Sequence, residues 1–222
     1  MTDGSYMVGL DLGQVNDYSA LAVVERVLAL PPGMGSEHYS RREGGPAAAM
    51  LTPELRVRHL QRWDLGTPYP AVVADVAALM HTDQLAQSWL VYDATGVGRA
   101  IKDLLWQAYC AGEMGRNPAW GVTITGGDHA TGHGVPKRDL IAALQVPLQQ
   151  GTLKIAERLP LGDVLERELT GFRMKLSASG RDSYDIARGD GTGHGDLVIA
   201  TALAALRANP NVGMPVEETA RK

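Results

Sequence analysis

The chain has 222 residues, of which 45% are hydrophobic, and its formal net charge of -4 does not by itself indicate a nucleic-acid-binding protein. This length suits one domain with a sizeable core, and the longest apolar runs are too short to cross a membrane. Cys110 is the only cysteine, which excludes an intramolecular disulfide and a cysteine-based metal cluster and favours a reducing, cytoplasmic location.

The N-terminal stretch predicts a β-hairpin that carries an acidic residue. Residues 7–12 have the apolar character of a buried strand, and residues 19–29 predict a second strand that runs back after a turn at Gly13. Asp11 interrupts the first strand, and a buried charge is costly unless it is paired or bound to a cation. Asp11 is therefore either a structural cap or a metal ligand. Residues 31–50, rich in glycine, proline and alanine, predict a mobile loop.

Strands and helices alternate in the rest of the chain. Further strands are predicted at residues 54–63, 89–92, 120–124 and 153–155, and helices at residues 71–80, 99–111, 136–150, 161–171 and 196–208. Pro136 suits the first position of its helix. Residues 172–176 and 184–186 predict a two-stranded hairpin, and residues 209–222 a flexible tail.

The spacing of apolar residues predicts which side chains face the core, and acidic residues at the ends of these elements are candidate site residues. In the strand over residues 54–63, the apolar positions Leu55, Val57 and Leu60 are expected to face inward. Asp93 ends the next buried strand, and Asp196 lies in the first turn of the last helix. As an acidic residue at a helix N-terminus, Asp196 would also be explained by the helix dipole alone.

The order of elements predicts an α/β fold. Three antiparallel strands followed by strands that alternate with helices indicate a mixed β-sheet flanked by helices on both faces, with an added C-terminal β-hairpin. We expect a single domain over residues 1–208. Ligand sites in such sheets gather outside the carboxyl ends of the strands. Asp11 and Asp93 both stand at strand ends of this kind, and Asp196 could pack beside them.

Four short stretches in this order resemble the nuclease domain of phage large terminase subunits, which has a ribonuclease H-like fold. They are Gly9-Leu10-Asp11 with Asp17-Tyr18-Ser19-Ala20, residues 91–98 around Asp93, residues 135–141 around Lys137, and residues 194–200 around Asp196. The resemblance covers roughly residues 6–208. One departure is Gly195, because the family often has a second aspartate between the histidine and the aspartate of this last motif.

The resemblance implies a metal-dependent endonuclease that acts on double-stranded DNA. The chain contains no Gly-x-x-x-x-Gly-Lys-Ser/Thr loop, so it lacks the ATPase motor of a complete large terminase. It is either an excised nuclease domain or a separately encoded one, expected in the cytoplasm of a bacterial host as a phage or prophage protein. A separate packaging ATPase, a small terminase or a portal protein are the expected protein partners.

Two Mg²⁺ or Mn²⁺ ions are the expected cofactors, since phosphodiester hydrolysis by this chemistry needs convergent carboxylates. Asp11, Asp93 and Asp196 are the predicted catalytic ligands, with Asp11 the most enclosed and bridging the two ions. Asp17 is either a fourth ligand or a turn-forming residue. His194 either orients a water or contacts the phosphate, or it is only a neighbour of the helix N-terminus.

Basic residues supply the predicted DNA contacts. Lys137 falls on the resembling motif and could meet a phosphate, beside Arg138; both would equally suit a solvated helix. Around the predicted hairpin stand further basic residues, Arg173, Lys175, Arg181 and Arg188. They form either a rail for the DNA backbone or an ordinary solvated surface.

Three other functions are compatible with parts of the sequence. Asp-Leu-Gly after a strand also begins the phosphate-binding hairpin of actin-like, sugar-kinase and Hsp70-like ATPases, although these need two lobes and a longer chain. A Holliday-junction resolvase of the same broad fold is a second alternative. A degenerate domain that binds DNA or a portal protein without cutting is the third, and the presence of all three carboxylates speaks against it.

Overall fold

The computed structural model describes residues 5–13, 17–29, 51–96, 98–127, 132–176, 182–186 and 195–208. The predicted mobile loop at residues 31–50 and the predicted tail at residues 209–222 lie outside these ranges. Among the helices within them, none is long and apolar enough to span a membrane.

Nine strands and five helices make up the described part of the chain. The strands are β1 (Ser5–Asp11), β2 (Ala20–Ala29), β3 (Thr52–Arg62), β4 (Trp89–Asp93), β5 (Trp120–Thr125), β6 (Gly134–Pro136), β7 (Leu153–Ile155), β8 (Phe172–Leu176) and β9 (Asp182–Ile186). The helices are α1 (Tyr69–Met80), α2 (Gly98–Cys110), α3 (Lys137–Gln149), α4 (Gly162–Gly171) and α5 (Asp196–Ala208). Every predicted strand and helix is present, with ends shifted by no more than a few residues.

Seven strands form one mixed sheet in the order β6-β5-β4-β1-β2-β3-β7. The strands β1 and β3 each pair antiparallel with β2, whereas β4 is parallel to β1, β5 to β4 and β6 to β5. The short strand β7 pairs parallel with β3 and lies at the edge, as predicted. The strands β8 and β9 pair antiparallel in a separate two-stranded sheet.

The short strand β6 was not predicted. Its residues, Gly134 to Pro136, follow a glycine-rich segment and carry no alternating pattern of their own, so only pairing with β5 makes them a strand. Pro136 ends β6 and precedes α3 with an extended backbone (φ -56°, ψ 133°). The helix begins at Lys137, so Pro136 is its N-cap residue and not, as predicted, its first helical residue.

Helices cover both faces of the sheet, and each face has its own apolar core. On one face, residues of α3, α4 and α5 pack against the strands, with Leu144, Leu165 and Leu203 among the buried side chains. On the other face, α1 and α2 pack around Val8 and Leu10 of β1. The predicted α/β sandwich of helices around a mixed sheet is confirmed.

A β-bulge in β3 changes which side chains face α5. Val24 of β2 pairs with Val57, whereas Val23 pairs with His59, so Arg58 is an extra residue in β3. One extra residue inverts the alternation of side chains beyond it. Leu55, Val57 and Leu60 are therefore all buried on the α5 face, as predicted for these apolar positions. Beyond Leu60, Arg62 also falls on this face.

Candidate functional site

Three aspartates lie at one end of the sheet and on the same face. Asp11 ends β1 and Asp93 ends β4, and these strands are parallel neighbours in which Leu10 pairs with Tyr92. Met7 in β1 and Val91 in β4 belong to the α5-side core, so the two-residue alternation puts Asp11 and Asp93 on that side as well. Helix α5 packs across β1, β2 and β4 and begins at Asp196.

The electrostatics of Asp11 agree with this placement of the acidic residues. Burial raises the pKa of the Asp11 carboxyl well above its ordinary value, and the charges of Asp93, Asp196 and Asp17 raise it further, followed by that of Glu168. The negative charges therefore converge on Asp11. A divalent cation at this point would relieve both their repulsion and the cost of burying the carboxylate.

The degree of enclosure differs from the prediction. Asp196 is only 4% exposed, whereas Asp11 is half-buried at the end of its strand. The expectation that Asp11 is the most enclosed of the three aspartates was wrong. Glu168 of α4 accepts hydrogen bonds from the Leu197 and Val198 amides, and both side chains are buried in the core against the sheet. The first residue of α5 is therefore shielded from solvent more fully than a residue at a strand end is.

Asp93 is held in place by its own loop. Its Oδ1 accepts a hydrogen bond from the Thr95 amide at 2.7 Å, and the Thr95 hydroxyl oxygen accepts one from the Ile124 amide at 2.8 Å. The Ala94 amide donates to the Val122 carbonyl at 2.8 Å. Burial raises the pKa of Asp93, and the hydrogen bonds from Thr95 act against that rise. The loop after β4 thus fixes one carboxylate oxygen and links it to β5.

Asp17 lies in the turn between β1 and β2, three residues before β2 begins at Ala20. The Gly13 amide donates to the Ser19 hydroxyl oxygen at 3.1 Å, and the Tyr69 hydroxyl donates to the Gly13 carbonyl at 2.9 Å. The first bond closes the turn on itself, and the second ties it to α1. Asp17 is half-buried, and its charge is among those that raise the pKa of Asp11.

Lys137 lies at the same end of the sheet as the aspartates. It is the first residue of α3, which follows directly on the carboxyl end of β6, and β6 is parallel to β4 and β1. Two strand spacings separate β6 from β4, roughly 10 Å. Lys137 is half-buried, whereas Arg138 is exposed and lies beside Asp139, with Nε 3.4 Å from Oδ1. Of the two, Lys137 has the more restricted side chain.

The remaining predicted site residues are not tested by the structure. His194, Arg181 and Arg188 lie outside the described residues. Arg173 and Lys175 belong to β8, in which they pair by backbone register with Asp185 and Ser183. Their roles stay predictions.

Two charged residues at this end of the sheet were missed by sequence reasoning. Arg62, the last residue of β3, donates from Nη2 to Oε1 of Glu168 in α4. Glu168 is 3% exposed. The sequence does contain a signal for Glu168. This residue follows the core residue Leu165 by three positions and so lies on the apolar stripe of its helix. A carboxylate on such a stripe needs a partner, and the partner is distant in sequence.

The donor set suits a hard divalent cation. Carboxylate oxygens are the ligands that Mg²⁺ and Mn²⁺ take in proteins, and Asp11, Asp93, Asp196 and Asp17 provide them at one end of the sheet. Within the described ranges, no three acidic, histidine or cysteine side chains already meet at one ligand point. The aspartates are thus adjacent, and their side chains would have to close around an ion.

No family model matches the chain, and no curated protein does either. Solved structures are similar in fold. The large terminase nuclease from thermophilic phage G20c with bound magnesium has a TM-score of 0.57 and 24% identity, over 91% of this chain and 81% of that one.

Two further phage structures are also similar in fold to the chain. The large terminase nuclease domain from bacteriophage SPP1 with bound manganese has a TM-score of 0.51 and 14% identity, over 92% of this chain and 87% of that one. The HK97 bacteriophage large terminase has a TM-score of 0.54 and 16% identity, over 92% of this chain but 39% of that one. At these identities the likeness establishes the fold, which is that of terminase nuclease domains, as the sequence resemblance predicted.

Proposed function

We propose that the chain is a metal-dependent endonuclease that hydrolyses phosphodiester bonds of double-stranded DNA. In this proposal it acts like the nuclease that cuts concatemeric phage DNA during genome packaging. The main support for this proposal is that carboxylate charges converge on Asp11, at the carboxyl ends of β1 and β4. Neighbours of the same fold were solved with magnesium and manganese bound, which supports the assignment of the cluster to a metal.

Asp11, Asp93 and Asp196 would hold the cations, with Asp17 as a further ligand or an outer partner. Two divalent ions, when bound, would activate the attacking water and stabilise the leaving oxygen. The protein holds the Asp93 carboxylate by its bond to the Thr95 amide, and it presents Asp196 from the buried first turn of α5. His194 is proposed to orient the water or contact the phosphate.

DNA is proposed to cross the sheet at the carboxyl ends of β1 and β4. Lys137 lies at that end of the sheet and would contact a backbone phosphate, with Arg138 beside it. The hairpin residues Arg173 and Lys175, and Arg188 after it, are the proposed second set of phosphate contacts. A separate packaging ATPase, a small terminase or a portal protein are the proposed protein partners.

Cleavage of supercoiled plasmid with Mg²⁺, Mn²⁺ or EDTA tests the proposal. We expect nicked and linear products with either ion and none with EDTA. Asp11→Asn should lose more than the roughly 10–100-fold typical of residues that only support metal ligands. The matched control is Asp83→Asn, which neutralises an exposed aspartate outside the cluster and should retain full activity.

Two results would overturn the proposal. One is plasmid that stays intact with the wild type in Mn²⁺, and the other is equal cleavage by Asp11→Asn. Linear duplex and four-way junction substrates in the same assay separate the alternatives. A strong preference for the junction would indicate a resolvase, and binding without cleavage would indicate a non-catalytic domain.

A further inference from the structure

Arg62 and Glu168 form a buried ion pair beside the aspartate cluster. Their side chains are 15% and 1% exposed, and Nη2 of Arg62 contacts Oε1 of Glu168. The residues are 106 positions apart in sequence and belong to β3 and α4. Burial raises the pKa of the Glu168 carboxyl, and Arg62 acts against that rise.

The second oxygen of Glu168 caps helix α5. Oε2 accepts hydrogen bonds from the backbone amides of Leu197 at 3.1 Å and Val198 at 3.3 Å. These are amides of the first turn, which have no partner within the helix and are usually capped by the residue before it. Here that residue is Gly195, whose φ of +83° requires glycine and which has no side chain to offer. Glu168 therefore caps α5 from a different helix.

The other end of the pair reaches the elements that carry Asp11 and Asp17. Arg62 pairs by register with Ala20 of β2, and Ala20 pairs with Asp11 of β1, so the three residues form one row across the sheet. The guanidinium carbon of Arg62 lies 4.9 Å from the ring centroid of Tyr18, the residue after Asp17. The pair thus joins the first turn of α5 to this row and to the β1–β2 turn.

We propose that Glu168, held by Arg62, is a positioning residue that sets the first turn of α5 so that Asp196 faces Asp11. This inference rests on the proposed function, in which these two aspartates hold the same metal site. Glu168 is not itself a ligand, because one oxygen is engaged by Arg62 and the other by two amides. Its role is to fix the helix from which Asp196 projects.

Two measurements on Glu168→Gln test the inference, and the first needs no metal. Amide hydrogen exchange of Leu197 and Val198 in the metal-free protein is compared with that of Leu21 in the central sheet. A glutamine keeps the shape but loses the charge that strengthens these bonds, and its amide group opposes the Arg62 donors. The two amides should exchange about 10-fold faster relative to Leu21.

The second measurement is the dissociation constant for Mn²⁺, by isothermal titration calorimetry. It should rise about 10-fold in Glu168→Gln, the loss that is usual for a residue that supports metal ligands. The matched control is Leu165→Ala, which removes a buried side chain from the same helix, one turn earlier. It should lower the melting temperature and leave both the exchange ratio and the Mn²⁺ affinity as in the wild type.

A double variant separates positioning from a general loss of structure. In Arg62→Gln with Glu168→Gln, the two amide groups can hydrogen-bond to each other, and the Mn²⁺ dissociation constant should return to within about threefold of the wild type. If Glu168→Gln does not fold, Arg62→Lys takes its place, since it keeps the charge but not the planar fork. It should weaken Mn²⁺ binding severalfold and raise the same exchange ratio.

Unchanged exchange and Mn²⁺ affinity in the folded Glu168→Gln or Arg62→Lys variant would overturn the positioning role. Failure of the proposed function has a different signature, in which the wild type itself neither binds Mn²⁺ nor cuts plasmid. In that case the exchange of Leu197 and Val198 still decides whether Glu168 fixes the first turn of α5.

Discussion

The backbone of Gly9 in β1 lies directly against the carbonyl group of Ala200 in α5. A Cβ atom on Gly9 would overlap that carbonyl oxygen and would stand 2.7 Å from the amide nitrogen of Ala204. Asp196 precedes Ala200 by one helical turn, and Asp11 follows Gly9 by two residues on the same face of β1. The contact between strand and helix therefore brings Asp196 over Asp11.

Gly9→Ala should separate α5 from β1. The added methyl group meets backbone atoms, which cannot turn aside as a side chain can, so we expect a loss of about 1–3 kcal/mol in the free energy of unfolding. For a chain of this size that corresponds to roughly 2–4 °C in melting temperature per kcal/mol. Differential scanning calorimetry measures it. Gly171→Ala is the control, because a Cβ there meets nothing within 4 Å; equal melting temperatures for the two variants would contradict the prediction.

The raised pKa of Asp11 gives the metal-free protein a defined dependence on pH. Its folded pKa lies above the ordinary value of 3.8, so the folded state binds a proton more tightly than the unfolded state does. This contribution to stability is present in full below the ordinary value and is lost as pH rises through the folded pKa. At pH 7, Asp11→Asn should therefore raise the melting temperature of the metal-free protein, and it should do so by less at pH 4. A metal-free Asp11→Asn protein that melts below the wild type at pH 7 would contradict this reasoning.

Divalent cations should stabilise the wild type. A ligand at about 100 times its dissociation constant adds roughly 2.7 kcal/mol, and thermal melts with millimolar Mn²⁺ would detect that. Asp196→Asn removes one of the charges that raise the pKa of Asp11, so its metal-free melting temperature should equal or exceed that of the wild type. Its gain from Mn²⁺ should be smaller. A wild-type melt insensitive to Mn²⁺ and Mg²⁺, with an Asp196→Asn protein of lower metal-free stability, would make Asp196 only a helix-terminal residue.

The salt dependence of DNA binding tests the basic residues. Lys137→Gln, and separately Arg173→Ala with Lys175→Ala, should reduce the slope of log affinity against log salt by about 0.9 for each phosphate that the variant no longer neutralises. Fluorescence anisotropy with a short duplex measures the slope. Arg167→Ala is the control, because that exposed arginine is paired with Asp163 on the outside of α4. An unchanged slope would assign the substituted residues to the solvated surface.

The sequence by itself determined most of the fold and predicted the aspartates of the candidate site. Alternating and continuous apolar runs predicted the strands of the seven-stranded sheet apart from β6, and the spacing of apolar residues predicted the helices. The reason is that these patterns are local: a strand or helix that buries one face must repeat with its own period. Asp11 and Asp93 were found by the same means, as charges at the ends of apolar strands.

Tertiary structure alone decided how the parts meet. The strand β6 has no pattern of its own and exists through its pairing with β5. Arg62 faces α5 only because the extra residue Arg58 inverts the alternation of β3. Its partner Glu168 lies 106 residues away, and Gly195 leaves the cap of α5 to that distant carboxylate. A charge on an apolar stripe indicates in the sequence that a partner is needed, but which residue provides it is settled by the packing of α4 and α5 on the sheet.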